Sequence, residues 1–328
     1  MSAMDNDDMG FDPLKREAVG WVRHLTSGQA TAADAEALRR WCGQSAEHAA
    51  AFAAASRLWR DLAPAGRNLR AAATAGPLTS ASRPFNRRAL LGGGLAAAAS
   101  AAAVYALARP PLDLWPSWSE LAADYRTGIG EQRNVALPGD VSIRMNVQTS
   151  IALQPADPGA ARIELLSGEA EFATSGRSFG VRVADRWIFA DQAQFDVRYV
   201  PAGGERPVCV TCLKGELQVE RGAQTITMKE SQQLRYDARG ETLAAADIEA
   251  ASAWQRGVLL FRFTPLSDVV DEINRYRPGR IFIVNAEIAR LPVSGRFRID
   301  RMDEILTQLQ QAFNARVRSL PGGIVLLS

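Results

Sequence analysis

Side chains suited to metal or thiol chemistry are scarce. The 328-residue chain has two histidines and three cysteines, which leaves little room for a metal cluster or a thiol redox centre. Cys42 stands alone. Cys209 and Cys212 form a CxxC within "PVCVTCLKGELQVE", which alternates as a strand does. Three residues along a strand span roughly 10 Å, beyond the roughly 7 Å Cα limit for a disulfide, so two buried apolar thiols are expected. His24 and His48 lie on separate expected helices with no acidic or cysteine partner at ligand spacing, and read as ordinary helix-surface residues. Charge of one sign is also lacking. Thirty-eight Lys and Arg against 36 Asp and Glu leave a net charge of +2, which argues against direct binding of nucleic acid. No nucleotide loop, metal cluster or nucleophile motif is present. Neither catalysis nor a cofactor or metal is therefore expected.

What the chain does have is one long uncharged run. Ala89 to Ala108 holds ten Ala, three Gly, four Leu and one each of Val, Ser and Tyr, after Arg87 and Arg88. Twenty helical residues reach about 30 Å, the thickness of a bilayer core. Few of them are strongly apolar, so the span is marginal. Weak hydrophobicity behind Arg87-Arg88 resembles a twin-arginine export signal, with "NRRALL" as a partial match, and Ala106-Leu107-Ala108 satisfies the small-x-small rule for cleavage. Its position after more than eighty residues favours an anchor over a disposable signal. Five arginines and no acid lie between Leu62 and Arg88. The positive-inside rule then places the N-terminus in the cytoplasm and the C-terminal two thirds outside, as a single-pass inner-membrane protein.

Ahead of the run, three amphipathic helices are expected. The first covers about Asp12–Thr26, with Ala18, Trp21, Val22 and Leu25 on one stripe. The second is capped by Thr31 and groups Ala35, Leu38 and Trp41. The third is capped by Ser45 and groups Phe52, Ala55, Trp59 and Leu62. These aromatics read first as a core. A unit of about sixty residues buries only some 60% of its chain surface, which makes it a candidate for completion by a partner.

Beyond a Pro-rich spacer the pattern changes to period two. "RIELLSGEAEFAT", "FGVRVADRWIF", "QFDVRYV" and "TITMKESQQLRY" each alternate, parted by polar joints, and predict an antiparallel β domain. Gly139-Asp140 suits a type II′ hairpin turn. Glu164, Glu169 and Glu171 fall on alternating strand positions with no evident partner, and do not read as a glycosidase pair. The last seventy residues predict the strand "GVLLFRF", a helix "LSDVVDEINRY" opened by Thr264-Pro265, strands "RIFIV" and "PVSGRFRI", and a helix "RMDEILTQLQQAF" capped by Asp300. "ARVRSL" and "IVLLS" complete two successive β-α-β units.

This order of parts resembles the FecR-type transmembrane anti-sigma factors over nearly the whole chain. The N-terminal motifs are "LRRW" and an Ala-Phe run ending in "LW". The outer motifs are "YRTGIGEQRNVALP", "LLSGEAEFAT", "LKGELQVE", "AWQRGVLLFRFTPLSDVVDEINRYRPGRI" and "VSGRF". Two places depart from the family pattern. Gly139, Asp140 and Val141 stand where it has Asp-Gly-Ser, and Gln192 and Ala193 where it has Gly-Thr.

The resemblance implies a multidomain regulator. A cytoplasmic helical anti-sigma domain would occupy residues 1–65, a basic linker 66–88, a transmembrane helix 89–108, a Pro-rich linker 109–120 and a periplasmic β domain 121–250. An α+β domain at 251–328 would be similar to the short signalling domain of TonB-dependent receptors. The implied partners are an extracytoplasmic-function sigma factor, the signalling domain of a TonB-dependent outer-membrane receptor for a ligand such as a ferric siderophore, and periplasmic and intramembrane proteases that free sigma stepwise. Leu38, Trp41, Phe52, Trp59 and Leu62 are the candidate sigma contacts, and Arg87 and Arg88 the candidate export signal. Gly92, Gly93 and Gly94 are a candidate intramembrane cleavage region, because glycine weakens a helix. Asp268, Tyr276, Val293 and Phe297 are candidate receptor-facing residues. The rival readings are an exported envelope scaffold or binding protein with a cleaved twin-arginine signal, and an exported enzyme.

Overall fold

The computed structural model describes residues 13–26, 30–62, 117–155, 161–175, 179–200, 207–313, 315–320 and 324–328. They form two compact units, a helical one within residues 13–62 and a β-rich one within residues 119–328.

The helical unit follows its sequence closely. Helices α1 (Pro13–Thr26), α2 (Ala32–Cys42) and α3 (Ala46–Leu62) bury Ala18, Val22, Leu25, Ala35, Leu38 and Phe52. Thr31 starts α2 with a reciprocal cap. Its Oγ1 accepts from the Asp34 N–H at 3.3 Å, and the Asp34 carboxylate accepts the Thr31 N–H at 2.8 Å, so two otherwise orphaned donors are satisfied. Ser45 Oγ accepts from the N–H groups of Glu47 and His48 at 3.2 and 3.3 Å. His24 stays at the surface, its side chain 42% exposed, but has an acidic partner. Its Nε2 lies 3.2 Å from Asp34 Oδ2, so the cap acid of α2 also ties down α1. Trp41 Nε1 donates to Glu17 at 2.9 Å, and its ring packs on Trp21 and His48.

The expected fold class is corrected. Among the described residues no helix is long and apolar enough to cross a membrane. The Ala89–Ala108 run lies outside the described residues. The fold class is a helical region followed by a large half-barrel β unit with an α+β end.

The β unit is organised by one long strand, β5 (Ala161–Thr174). Its first half pairs with β4 (Ser150–Gln154) and β6 (Phe179–Val183). Its second half pairs with β3 (Val141–Met145) and β8 (Ala193–Tyr199). Gly168, at φ +103°, stands between the halves. A Cβ there would lie 2.4 Å from the Thr149 Cα, so only glycine admits the approach. Thr149 Oγ1 then bonds both the N–H and the carbonyl of Glu169 at 3.0 Å. The path through the sheet is β11-β10-β7-β6-β5-β8-β9-β12-β13, with β7 at Arg186–Ala190, β9 at Val208–Lys214, β10 at Glu216–Arg221, β11 at Gln224–Lys229, β12 at Gln232–Asp237 and β13 at Gly240–Ala245.

Two sequence readings of this region change. The domain is not purely antiparallel, because β5 and β6 run parallel. Parallel neighbours need a connection of a dozen residues or more, and the second half of β5 itself serves as that crossover. The β2 (Arg133–Leu137) to β3 hairpin exists, but Leu137 pairs with Val141 across a three-residue loop. Gly139 and Asp140 both take positive φ, at 87° and 60°, whereas a type II′ turn has only one such residue.

The C-terminal part is built from β14 (Val258–Pro265), α5 (Leu266–Tyr276), β15 (Arg280–Ile283), a short α6 (Ala286–Ala289), β16 (Pro292–Arg298), α7 (Met302–Phe313), β17 (Val317–Leu320) and β18 (Ile324–Leu327). A one-turn helix, α4 (Ile248–Ala251), precedes it. The elements match the predicted β-α-β order, and Leu266, Val269, Val270, Ile273, Ile305 and Leu309 are buried as expected. Their pairing differs. β14 pairs antiparallel with β16, while β15 joins β18 and β17 in a second sheet. Neither helix therefore links two parallel neighbours, so the two expected β-α-β units are corrected to two small sheets sharing their helices. Periodicity specifies each element's buried face, but not its partner. Val147, from the β3–β4 connection, sits in the core of this C-terminal part, which joins the β half-barrel and the α+β end in one unit.

Candidate functional site

The buried face between the half-barrel and α5 is ionic. Strand β5 contributes Glu169, β8 contributes Asp196 and Arg198, and α5 contributes Glu272, Arg275 and Tyr276. Glu169 and Arg198 are direct cross-strand partners, and Glu272 and Arg275 lie three residues apart on one helix face. Arg275 Nη1 lies 2.9 Å from Glu169 Oε2 and 2.8 Å from Glu272 Oε1. Arg198 pairs with Glu272 and reaches Glu169 at 3.4 Å. Asn146 Nδ2 donates to Glu169 at 2.7 Å and to the Tyr276 hydroxyl oxygen at 2.6 Å. Two carboxylates and two guanidiniums thus close a ring across the junction. Glu169, Glu272 and Arg275 are at most 8% exposed, whereas the Arg198 side chain is 36% exposed.

Burial on its own would push the Glu272 carboxyl up, but Arg198 and Arg275 outweigh it and hold the group at about 2. Asp196 goes the other way. Burial raises it well above the usual carboxylate range, the Glu169 charge raises it further, and neither the bond from Trp254 Nε1, at 3.3 Å, nor Arg198 reverses this. The strand register adds a smaller contribution in the same direction. Asp196 lies directly opposite Glu171 and two residues from Arg198, and like charges facing each other across a ladder repel. Keeping a proton on Asp196 removes the conflict.

Beside the ring is a cavity of about 240 Å³ reaching from Glu169 and Arg198 to Trp254, Phe261, Asp268 and Tyr276. Among the described residues there is no group of three or more His, Cys, Asp or Glu side chains able to hold a metal. Burial pushes the Cys42 and Cys212 thiols up to about 11, and Cys209 also up. All three cysteines are unbridged. The arrangement is suited to holding α5 against the half-barrel.

The candidate site residues fall in different places. Leu38, Trp41 and Phe52 are core side chains of the helical unit. Trp59 and Leu62 lie on α3, with their side chains outside the described residues, as are Arg87, Arg88, Gly92, Gly93 and Gly94. Of the receptor-facing candidates, Asp268 is exposed, while Tyr276, Val293 and Phe297 are buried. Asp268 and Tyr276 come together at the cavity. The ring itself escaped sequence reading. Glu164 and Glu171, which looked unpartnered, are also engaged, by Arg182 and Gln194. A signal was present in "GEAEFAT", where acids share a segment with residues buried on both faces, so that those acids require partners.

A family model described as FecR protein matches residues 123–218, and one described as Domain of unknown function (DUF4880) matches residues 16–58. The first match covers the half-barrel from β1 (Tyr125–Arg126) into β10, and the second covers most of the three helices. No curated protein matches the chain. Two crystal structures of a candidate anti-sigma factor from Parabacteroides distasonis ATCC 8503 are similar in fold. Their identities are 19% and 20%, each with a TM-score of 0.53, covering 62% of this chain and 97% and 96% of that chain.

Proposed function

We propose that this chain, a FecR-type anti-sigma factor by its two family segments and their order, holds an extracytoplasmic-function sigma factor with its helical unit and releases it on a signal received by its β unit. A sigma factor works in the cytoplasm, so the helical unit belongs there. The observation that carries the reading is the succession of a three-helix unit at 16–58 and a half-barrel at 123–218 in one chain. A sixty-residue unit with so small a core gains most from a partner that covers more of it. Leu38, Trp41 and Phe52 then act on sigma by holding the helices in place, rather than by touching it.

The signal-receiving part is the β unit, with the α+β end facing the partner that delivers the signal. The signalling domain of a TonB-dependent outer-membrane receptor is the partner that the resemblance implies, and proteolysis is the implied route of release. The α+β end is held by the ionic ring, so a partner that engages it also acts on the half-barrel.

Co-expression of the intact chain with each extracytoplasmic-function sigma factor of its source organism tests the reading. A single stoichiometric complex is expected. A soluble, folded chain that purifies free of every one of them would overturn it and leave an envelope binding protein as the alternative.

A further inference from the structure

The cavity beside the ionic ring has a charge that the ring does not use. Glu169 and Glu272 are met by Arg198 and Arg275, and burial raises Asp196 well above the usual carboxylate range. Asp268, on the first turn of α5, accepts a bond from its neighbour Ser267 at 2.9 Å, and among the described residues no cation pairs with it. Around it the lining includes three aromatic side chains, Trp254, Phe261 and Tyr276. An unpaired carboxylate in an aromatic-walled cavity favours a cation, through charge and through the ring faces together. A guanidinium suits such a place better than an ammonium, because it is planar, stacks on aromatics and meets a carboxylate with two parallel bonds.

A second observation lies one residue from the cavity-lining Thr264. The β14–β16 register slips between Phe261 and Thr264, and Phe263 takes φ +51° with its ring 83% exposed. Its N–H is held by Ser294 Oγ at 2.9 Å. A left-handed conformation costs a side-chain-bearing residue about 1–2 kcal/mol, and an exposed ring gains nothing from burial in the fold. Pro265, Leu291 and Pro292 are exposed at the same end of the β14–β16 pair. Large aromatics held out of the fold are the usual anchors of protein interfaces.

We propose that this corner of the β unit docks a partner protein by taking one of its arginine side chains into the cavity against Asp268, while Phe263 packs on apolar surface beside that arginine. The proposal rests on reading the β unit as the signal-receiving part, and it specifies the chemistry that the partner must present.

The test uses two small probes on the intact chain, acetyl-arginine amide and its neutral isostere acetyl-citrulline amide, titrated calorimetrically. Saturable one-site binding of the arginine probe is expected, with the citrulline probe about tenfold weaker. Asp268→Asn should lose about tenfold for the arginine probe, and Asp268→Glu should keep most of it. Unchanged amide exchange in α5 confirms that the variants stay folded. Equal binding of the two probes, indifference to Asp268→Asn, or no saturation of the arginine probe would each overturn the site. These outcomes are separate from the sigma-factor test. Probe binding without a sigma complex leaves the cavity standing and removes the regulator reading, and a sigma complex without probe binding does the reverse.

Discussion

The half-barrel core and the junction to α5 lie in one compact unit and are held by opposite means. In the first, Phe172, Phe179 and Phe195 pack with tilted rings whose centres are 5.3 to 6.4 Å apart, among aliphatic side chains. In the second, four charged groups, three of them buried, meet beside Asn146, Tyr276 and Trp254. Apolar burial is non-directional and roughly proportional to area, so the core tolerates small shifts of its parts. An ion ring depends on each partner's position, because a charge that loses its partner stays buried and unpaired. The junction therefore depends on direction and on each partner's presence in a way that the core does not.

The largest expected effects come from removing one member of each. Phe172→Ala should destabilise the unit by about 3–5 kcal/mol, and Arg275→Ala by a similar amount, about 3–5 kcal/mol. Amide exchange separates them. The Phe172 variant should lose protection throughout β3, β5 and β8, whereas the Arg275 variant should lose it in α5 and β15 and keep it in β5 and β8. Global loss in both would abolish the distinction. Removing Glu272 together with Arg275 should cost less than the two single changes added, by about 0.5–3 kcal/mol. Strict additivity would mean that the pair does not act as one.

Acid sharpens the comparison at intermediate size. The Glu272 carboxyl is held at about 2 in the fold against an ordinary value of 4.5. Its contribution is fully present above 4.5 and is lost as pH falls from there through about 2, on the order of 3 kcal/mol. Asp196 has the opposite sign. Its raised value favours the protonated fold, so its contribution is present below 3.8 and is lost as pH rises through its folded value. The junction should therefore be most stable in mild acid, while the phenylalanine core carries no such dependence. Asp196→Asn, which fixes the neutral form, should flatten the decline toward neutral pH in α5 amide protection. A variant that still declines as steeply would assign that loss elsewhere.

The sequence makes this contrast legible on one side only. Helix α5 has the residues read for it, and its apolar face is buried as its periodicity requires. The three N-terminal helices and the Thr31 and Ser45 caps are equally plain, since a cap acts within three residues of itself. The ring joins positions more than one hundred residues apart, such as Glu169 and Arg275. Nothing local distinguishes Arg275 from a surface arginine at the end of a helix. The same limit hid the pairing of β14 with β16, and the parallel run of β5 beside β6. Asp268 could be placed on an exposed helix start, but its cavity is formed by residues from both halves of the unit.

The smallest expected effect is a gain. Phe263 sits at φ +51° with most of its ring in water, so replacing it with glycine removes about 1–2 kcal/mol of backbone strain. Glycine's extra freedom in the unfolded chain takes back about 0.5–1 kcal/mol. Phe263→Gly should therefore stabilise the α+β end slightly, by about 0.5–1 kcal/mol, in contrast to Phe172→Ala in the core. Urea unfolding followed through α5 amides reads this directly. A loss of stability instead would mean that the ring supports β14, and that the fold itself accounts for the strained residue.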